Sequence, residues 1–226
     1  TKNPNGASWP LCAERRQILY VGLTGGFAAG KSTVSKLLHD QFGIPVIDVD
    51  QAGRRAVEES PAVLAALHDA FGDAYFTAAA KLKRKKLGER VFRDEQARAT
   101  LNRIVHPAML KIVAAEMKQA AERTPRTPYV VVDAALLFEL DLHKKMDVVV
   151  TVWAPLSVCQ RRAGRRDGLT KTEVAARYQA QWSMAQKIVG ADYTLDNSTT
   201  RAALRTAVRH LHYQLLDQAQ QKRRRG

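Results

Sequence analysis

Residues 18–34 read ILYVGLTGGFAAGKSTV, and this stretch decides the fold. An apolar run over residues 18–23 leads into residues 25–32, which match the pattern G-x-x-x-x-G-K-[ST]. Lys31 then opens a helical pattern, so the motif lies between a strand and a helix, as a phosphate-binding loop requires. Backbone N–H groups of such a loop wrap a polyphosphate, and the helix N-terminus adds the positive end of its dipole. We therefore predict nucleoside triphosphate binding, the alternative being a glycine-rich turn before an ordinary helix.

The loop residues have separate expected roles. Lys31 is spaced to reach the β- and γ-phosphates, and the hydroxyl of Ser32 is spaced to bind Mg²⁺. We therefore expect ATP and Mg²⁺ as cofactors. The residues predicted to contact the nucleotide are Gly25, Gly26, Ala28, Ala29, Gly30, Lys31, Ser32 and Thr33.

The composition is that of a globular domain. The chain has 226 residues, of which 46% are hydrophobic, and no apolar run approaches the roughly 20 residues of a membrane span. The two cysteines, Cys12 and Cys159, form no pattern, which favours a reducing compartment. No His/Cys cluster has the spacing of a zinc site. We expect a cytoplasmic, monomeric protein without a membrane partner.

The net charge of +14 indicates an anionic partner. Part of this charge is local, in residues 81–86 and in residues 222–225 of a basic tail (residues 217–226). We predict that the run over residues 222–225 is disordered because like charges repel. A phosphate-binding enzyme with a basic site explains the charge as well as a nucleic-acid-binding NTPase does. Aromatic residues are sparse around both clusters, so nucleic acid is not the expected partner.

Strands and helices alternate along the chain. Runs such as VVVD and DVVVTVW are apolar throughout, as strands covered on both faces are. The pattern predicts an α/β fold with a doubly wound parallel sheet of P-loop kinase type. The predicted strands cover residues 18–23, 44–50, 129–134, 147–153 and 193–195; the predicted helices cover residues 31–41, 52–59, 62–71, 85–92, 95–104, 107–122 and 201–221, with a further helical, arginine-rich segment over residues 155–189.

Carboxylates end two of these strands, at the sheet edge where ligands of such folds bind. Asp48 and Asp50 are predicted to share a face of the second strand and to orient or deprotonate an acceptor hydroxyl. The alternative is that Asp50 only caps the following helix. Asp133 is placed to hold Mg²⁺ or its waters, unless it is only a turn residue. Glu139 is either a second polar contact or a surface residue.

A cluster of arginines lies on the helix predicted after the fourth strand. Arg161, Arg162, Arg165 and Arg166 form i,i+4 pairs, and such like charges favour an anion between them. In a kinase, a lid supplies such arginines to the transferring phosphoryl group; a solvated basic helix is the alternative. His106 precedes Pro107, which suits a first helical position. His106 is a cap, a core residue or a ligand contact, and spacing alone favours a structural role.

Several segments together resemble the dephospho-coenzyme A kinase family. The likeness runs from about residue 18 to residue 216. The combination of residues 47–50 (IDVD), His106-Pro107 and residues 136–139 (LLFE) is more specific than the phosphate loop, which many kinases share. The other similar segments are GLTGGFAAGKSTV, LKRKKLGERVF, VVVDAALLFE, RRDGLTKTEV and the spaced residues Gln181, Lys187, Asp192 and Asn197.

The resemblance implies transfer of the ATP γ-phosphoryl group to the ribose 3′-hydroxyl of dephospho-coenzyme A. It implies a nucleotide-binding core over residues 18–50, 124–154 and 190–216, a helical coenzyme A-binding insertion over residues 51–123, and a lid over residues 155–189. Residues 1–17 are left as a disordered lead-in. The resemblance implies four groups of site residues. The catalytic residues are Asp50, Lys31, Arg161 and Arg165, and the metal ligands are Ser32 and Asp133. The substrate-binding residues are Asp48, Asp50, Arg84, His106, Leu136 and Glu139, and Asn197 belongs to the adenine-binding region.

Rival functions within the same fold are a nucleoside monophosphate kinase or another small-molecule kinase. The chain also departs from the family pattern, which usually has glycine at position 28 and serine at position 29, where Ala28 and Ala29 stand here. If position 28 needs a positive φ, alanine there costs about 1 kcal/mol or more.

Overall fold

The structure, a computed structural model, describes residues 18–123 and 128–225. The predicted lead-in of residues 1–17 lies outside the described residues. The chain divides into two compact units. Residues 49–116 belong to one, and the described residues of 11–48 and 117–226 belong to the other.

The elements alternate between strands and helices at both ends of the chain and are helical in between. In chain order they are β1 (Leu19–Gly25), α1 (Lys31–Phe42), β2 (Val46–Asp48), α2 (Val49–Glu59), α3 (Pro61–Phe71), a 3₁₀ turn (Asp73–Tyr75), α4 (Arg84–Arg93), α5 (Glu95–Arg123), β3 (Tyr129–Asp133), a second 3₁₀ turn (Leu142–Lys145), β4 (Val148–Trp153), α6 (Leu156–Asp167), α7 (Lys171–Gln179), α8 (Met184–Val189), β5 (Tyr193–Asp196) and α9 (Arg201–Arg225).

The five strands form one parallel sheet in the order β2-β3-β1-β4-β5. β1 is central, with β3 on one side and β4 on the other. The chain therefore builds β2 and β3 on one side of β1 before it crosses to β4 and β5. The strand order reverses at the carboxyl end of β1, which is where ligands bind in open α/β sheets. The predicted α/β fold with a parallel sheet is confirmed.

One face of the sheet is covered by α1 and α9. Alternate strand residues, among them Leu19, Val21 and Leu23 of β1, join a single buried cluster with Val34 and Leu38 of α1. α9 adds Leu204, Val208, Leu211, Leu215 and Ala219 at helical spacing. Strand residues on the opposite face, such as Val130 and Val132, are equally inaccessible. Burial on both faces explains why the strands are apolar throughout.

The helical unit contains α2, α3, α4 and the first part of α5. Ser60 caps α3 by accepting a hydrogen bond from the N–H of Val63. Arg55 of α2 joins Glu59 of its own helix and Glu116 of α5. Within the described residues this unit contains no strand beyond the single bridge between Phe76 and Leu82, as the sequence predicts.

The predicted second strand is too long at its carboxyl end. β2 stops at Asp48, and Val49 begins α2. Asp48 and Asp50 therefore do not share a strand face, and Asp50 lies in the first turn of a helix and not at its cap. The strand ends there because Val49, Ala52 and Ala56 bury their side chains at helical spacing.

The predicted helix break at His106-Pro107 is also wrong. α5 runs without interruption for 29 residues, with Pro107 inside it. Proline removes one N–H···O=C bond from a helix and strains the turn before it. Val105, Met109 and Leu110 are buried on either side of the proline, and this burial offsets the loss.

The basic tail is helical, contrary to the predicted disorder. α9 extends to Arg225, with Leu215 and Ala219 buried along it. Lys222 donates a hydrogen bond to the carbonyl of Ile18 (2.9 Å) and pairs with Asp147 (2.6 Å). Charge repulsion is therefore outweighed by apolar anchors at helical spacing and by one carboxylate that the sequence pattern does not reveal.

Gly43 ends α1 in the left-handed conformation, with φ of 65°, as glycines after a helix commonly do. No helix of residues 18–123 or 128–225 has both the length and the apolar composition needed to cross a bilayer.

We expect the Lys222→Met variant to lower the free energy of unfolding by about 1 kcal/mol, because it removes the ammonium that donates to the carbonyl of Ile18 and to the Asp147 carboxylate, which then keeps only the N–H of Tyr20 among these donors. Urea denaturation followed by circular dichroism measures this change. Arg224→Met is the matched control, since Arg224 is exposed. Equal stability of the two variants would contradict the anchoring role of Lys222.

Candidate active site

The loop between β1 and α1 turns sharply within six residues. The N–H of Ala29 donates to the carbonyl of Gly26 (3.0 Å), and Gly30 begins the helix with φ of 100°. Ala28 has φ of 59°, so position 28 does need the left-handed conformation. Alanine costs about 1–2 kcal/mol there relative to the right-handed region. The loop tolerates this strain within an otherwise well-bonded turn.

Position 30 requires glycine because another side chain lies directly against its backbone. A Cβ atom on Gly30 would collide with the side-chain amide of Asn197, which lies directly against the loop. The positive φ of Gly30 restricts this position to glycine independently.

The carbonyl of Ala29 is held from outside the loop. Asn197, which follows β5, donates to it from Nδ2 (2.8 Å), and Arg162 of α6 donates from Nη1 (3.3 Å). Arg162 also donates to the carbonyl of Asn197 (2.8 Å). Asn197 is predicted to lie in the adenine-binding region, and the structure places its amide under the phosphate loop.

Lys31 and Asp133 form an ion pair at the carboxyl edge of the sheet. The Nζ of Lys31, in the first turn of α1, contacts the carboxylate of Asp133 at the end of β3. The Asp133 side chain is 5% exposed, so the pair is largely shielded from water. Asp48 lies beside Asp133 in the parallel register of β2 and β3. Two of the predicted carboxylates therefore lie on adjacent strand ends.

Ser32 and Thr33 follow Lys31 in the first turn of α1, and both are exposed. The Ser32 carbonyl accepts a hydrogen bond from the hydroxyl of Ser35 (3.2 Å). The helix N-terminus, the exposed hydroxyls and the Lys31 ammonium are together suited to a polyphosphate anion.

The segment after β3 carries Leu136 and Glu139. Glu139 Oε1 accepts a hydrogen bond from the N–H of Trp182 (2.7 Å) and lies 3.3 Å from the Nζ of Lys187. The other oxygen, Oε2, is buried and has no hydrogen-bond partner among the described residues. Glu139 is thus not a freely solvated surface residue. Leu136 is half-buried at the start of this segment.

Lys187 is a buried charged residue beside Glu139 for which the sequence predicts no role. Its side chain has no exposed surface, and its Nζ donates to the carbonyl of Ala135 (2.9 Å). Burial lowers the pKa of Lys187, an effect that the Glu139 carboxylate offsets in part. In the sequence, Lys187 belongs to the family-like series of Gln181, Lys187, Asp192 and Asn197, but that series assigns it no chemical role.

The four clustered arginines have different surroundings. Arg161 and Arg165 are exposed and make no ion pair with other described residues. Arg166 pairs with Asp167 (2.7 Å), and Arg162 is bound to the loop as described. Arg162 therefore supports the loop, whereas Arg161 and Arg165 have no carboxylate partner among the described residues.

The helical unit holds the remaining predicted residues. Asp50 is exposed in the first turn of α2, where the helix dipole favours a carboxylate. Arg84 begins α4 and pairs with Glu58 of α2 (2.7 Å). His106 lies within α5, and burial lowers the pKa of its imidazole, which favours the neutral form.

Comparisons with known proteins agree on one family. The family model described as Dephospho-CoA kinase matches residues 19–203. The dephospho-CoA kinase of Geobacillus kaustophilus is 41% identical over 83% of this chain and 92% of its own, and that of Bacillus licheniformis is 38% identical over 88% and 96%.

Solved structures show the same fold. TT1252 from Thermus thermophilus superposes with a TM-score of 0.74 and 30% identity, covering 88% of this chain and 98% of its own. The dephospho-CoA kinase from Campylobacter jejuni superposes with a TM-score of 0.65 at 23% identity, covering 88% and 97%, a likeness that concerns the fold alone. The match of the family model to most of the chain, together with relatives of this identity and coverage, shows that the chain belongs to the dephospho-CoA kinase family.

Proposed function

We propose that this protein transfers the γ-phosphoryl group of ATP to the ribose 3′-hydroxyl of dephospho-coenzyme A, giving coenzyme A. The observation that carries the proposal is the loop between β1 and α1, with Lys31 at the helix N-terminus, in a chain of this family. Phosphoryl transfer requires little covalent chemistry from the protein, so catalysis rests on positioning and on neutralising charge.

ATP is the phosphoryl donor, held by its phosphates in the loop. The backbone of the phosphate loop and the positive end of the α1 dipole provide the binding surface. Lys31 lies between this surface and Asp133, so its ammonium is already directed to the carboxyl edge of the sheet. We assign Lys31 to the β- and γ-phosphates and Asn197 to the support of the loop on which the nucleotide lies.

Ser32 and Asp133 suit a bound Mg²⁺. A hydroxyl and a carboxylate oxygen are ligands that Mg²⁺ accepts, and this ion takes its other ligands from phosphates and water. Ser32 is exposed beside Lys31, and Asp133 lies at the adjacent strand end. When bound, Mg²⁺ neutralises charge on the phosphates.

Asp50 is the group we assign to the acceptor hydroxyl. It follows Asp48 by two residues, and Asp48 ends the strand next to Asp133. A carboxylate is an acceptor for the proton of a hydroxyl, as a general base requires. Asp50 then takes the proton of the 3′-hydroxyl as the oxygen attacks the γ-phosphorus.

The exposed arginines Arg161 and Arg165 are assigned to the transferring phosphoryl group. Their guanidinium groups have no carboxylate partner in the described chain, so they are available to an incoming anion. We propose that residues 155–189 act as the lid that carries them. Residues 51–123, with Arg84 and His106, are proposed to bind the coenzyme A part of the acceptor. Asp48, Leu136 and Glu139 are also assigned to the binding of the acceptor.

Incubation of the purified protein with Mg²⁺-ATP and dephospho-coenzyme A tests the proposal. Mass spectrometry should detect an acceptor that has gained one phosphoryl group at the 3′-oxygen. A nucleoside monophosphate supplied under the same conditions should react far more slowly. Preferential phosphorylation of the monophosphate, or no product with ATP binding intact, would refute the assigned acceptor.

The Asp50→Asn variant should lose turnover by about 100-fold or more, since general-base catalysis contributes factors of this size. Its KM for ATP should change little, because Asp50 is assigned to the acceptor. Steady-state kinetics checks both values. Asp40→Asn, an exposed aspartate of α1 in an i,i+4 pair, is the control and should retain wild-type turnover. Normal turnover in Asp50→Asn would remove Asp50 from the mechanism.

The Lys31→Ala variant should weaken ATP binding and reduce turnover by about 100-fold or more, because the donor to the phosphates is lost. It also leaves Asp133 without its partner, so thermal unfolding of the variant must be followed alongside the kinetics. Lys36→Ala changes an exposed lysine of the same helix and should leave both constants unaltered. An unaffected Lys31→Ala enzyme would exclude the proposed phosphate site.

A further inference from the structure

Lys187 and Glu139 form a buried charged pair that the proposed mechanism has not used. The Lys187 side chain has no exposed surface, and that of Glu139 is 19% exposed. Burial of a lysine disfavours its charged form, so a buried lysine requires compensating partners. Lys187 has two, the carbonyl of Ala135 at 2.9 Å and Glu139 Oε1 at 3.3 Å.

The ammonium of Lys187 is hydrogen-bonded to the segment that directly follows β3, the strand that ends at Asp133. Ala135 follows Asp133 by two residues, and its carbonyl also accepts a hydrogen bond from the hydroxyl of Thr24 in β1 (3.2 Å). The Thr151 hydroxyl of β4 donates to the backbone carbonyl of Lys187 (3.1 Å). Three neighbouring strands therefore hold the lysine and the segment that leads to Glu139.

The two oxygens of Glu139 differ in what they contact. Oε1 takes the Trp182 N–H and faces Lys187, whereas Oε2 is buried without a partner in the part of the chain that the structure describes. A buried acceptor with no donor costs roughly 1–3 kcal/mol, so a ligand that brought a donor to this oxygen would remove the cost.

The position of the pair identifies the ligand. The ammonium of Lys187 donates to the carbonyl of Ala135, two residues after Asp133, and Asp133 is the carboxylate that Lys31 contacts. Lys31 is the residue assigned to the β- and γ-phosphates, so Glu139 belongs to the end of the site where the phosphoryl group is transferred. ATP offers only oxygen acceptors at that end, and a carboxylate repels them. The acceptor substrate, in contrast, brings hydroxyl and N–H donors.

We infer that Lys187 is a positioning residue, which holds Glu139 through Oε1 so that Oε2 accepts a hydrogen bond from a hydroxyl or N–H group of the acceptor substrate. The inference rests on the proposed function, because it assumes that an acceptor binds beside Lys31. It assigns Lys187 a role through Glu139 and not through the phosphates of ATP.

A double-mutant cycle tests the inference. Lys187→Met should raise the KM for dephospho-coenzyme A by about tenfold or more, the effect of losing one charge-assisted hydrogen bond, with the KM for ATP within about twofold of wild type. Glu139→Gln should have the same pattern. In the Glu139→Gln background, Lys187→Met should add little, since the residue through which it acts has already changed. Lys36→Met, at an exposed lysine, is the control and should leave both KM values unchanged.

Other results would overturn the inference. Additive effects of the two substitutions would show that Lys187 does not act through Glu139. A rise in the KM for ATP would show that Lys187 acts as a fixed charge behind the phosphate loop. If Lys187→Met does not fold by circular dichroism, Lys187→Gln, whose amide can donate to the Ala135 carbonyl, replaces it in the cycle. Wild-type enzyme that leaves dephospho-coenzyme A unmodified would refute the proposed function, whereas active wild type with an additive cycle refutes this inference alone.

Discussion

The carbonyl of Ala29 is the group on which the phosphate loop depends. A loop that turns its N–H groups inward to an anion must turn carbonyls outward, and a buried carbonyl needs a donor. Asn197 and Arg162 supply these donors from beyond β5 and from α6. The last strand and the first helix of the proposed lid are thereby bonded to the loop. The shape of the phosphate loop therefore depends on residues that are more than 130 positions away in the chain.

Buried charge is concentrated at the same edge of the sheet. Lys31 with Asp133 and Lys187 with Glu139 are pairs of opposite sign, shielded from water to different degrees. A buried ion pair adds little net stability to a protein, but removal of one of its two charged side chains is strongly destabilising. The arrangement is therefore better explained by function than by stability. Lys31 holds its position before a polyphosphate arrives, and Glu139 keeps one oxygen for a donor.

Local patterns in the sequence predicted most elements of the fold. The phosphate loop and the apolar strands each depend on contacts within a few residues or on burial of a whole strand. Predictions were wrong where a distant partner decided the outcome. Pro107 lies inside a helix because buried neighbours hold both sides, and the basic tail is helical because Asp147 and the carbonyl of Ile18 bind Lys222. At Asp50, a helical burial pattern that begins at Val49 ended the strand two residues early.

The sequence by itself determined the parallel α/β fold, the phosphate loop and the strand-end carboxylates, because strand–loop–helix order and hydrophobic period are local properties. Family membership was also readable, since its motifs are short and widely spaced. Only the tertiary structure decided which of the clustered arginines binds the loop, that Asn197 supports Ala29, and that Lys187 is buried beside Glu139. The reason is physical: the partners are 35 to 168 residues apart in the chain, and only the strand order β2-β3-β1-β4-β5 brings them to one edge of the sheet.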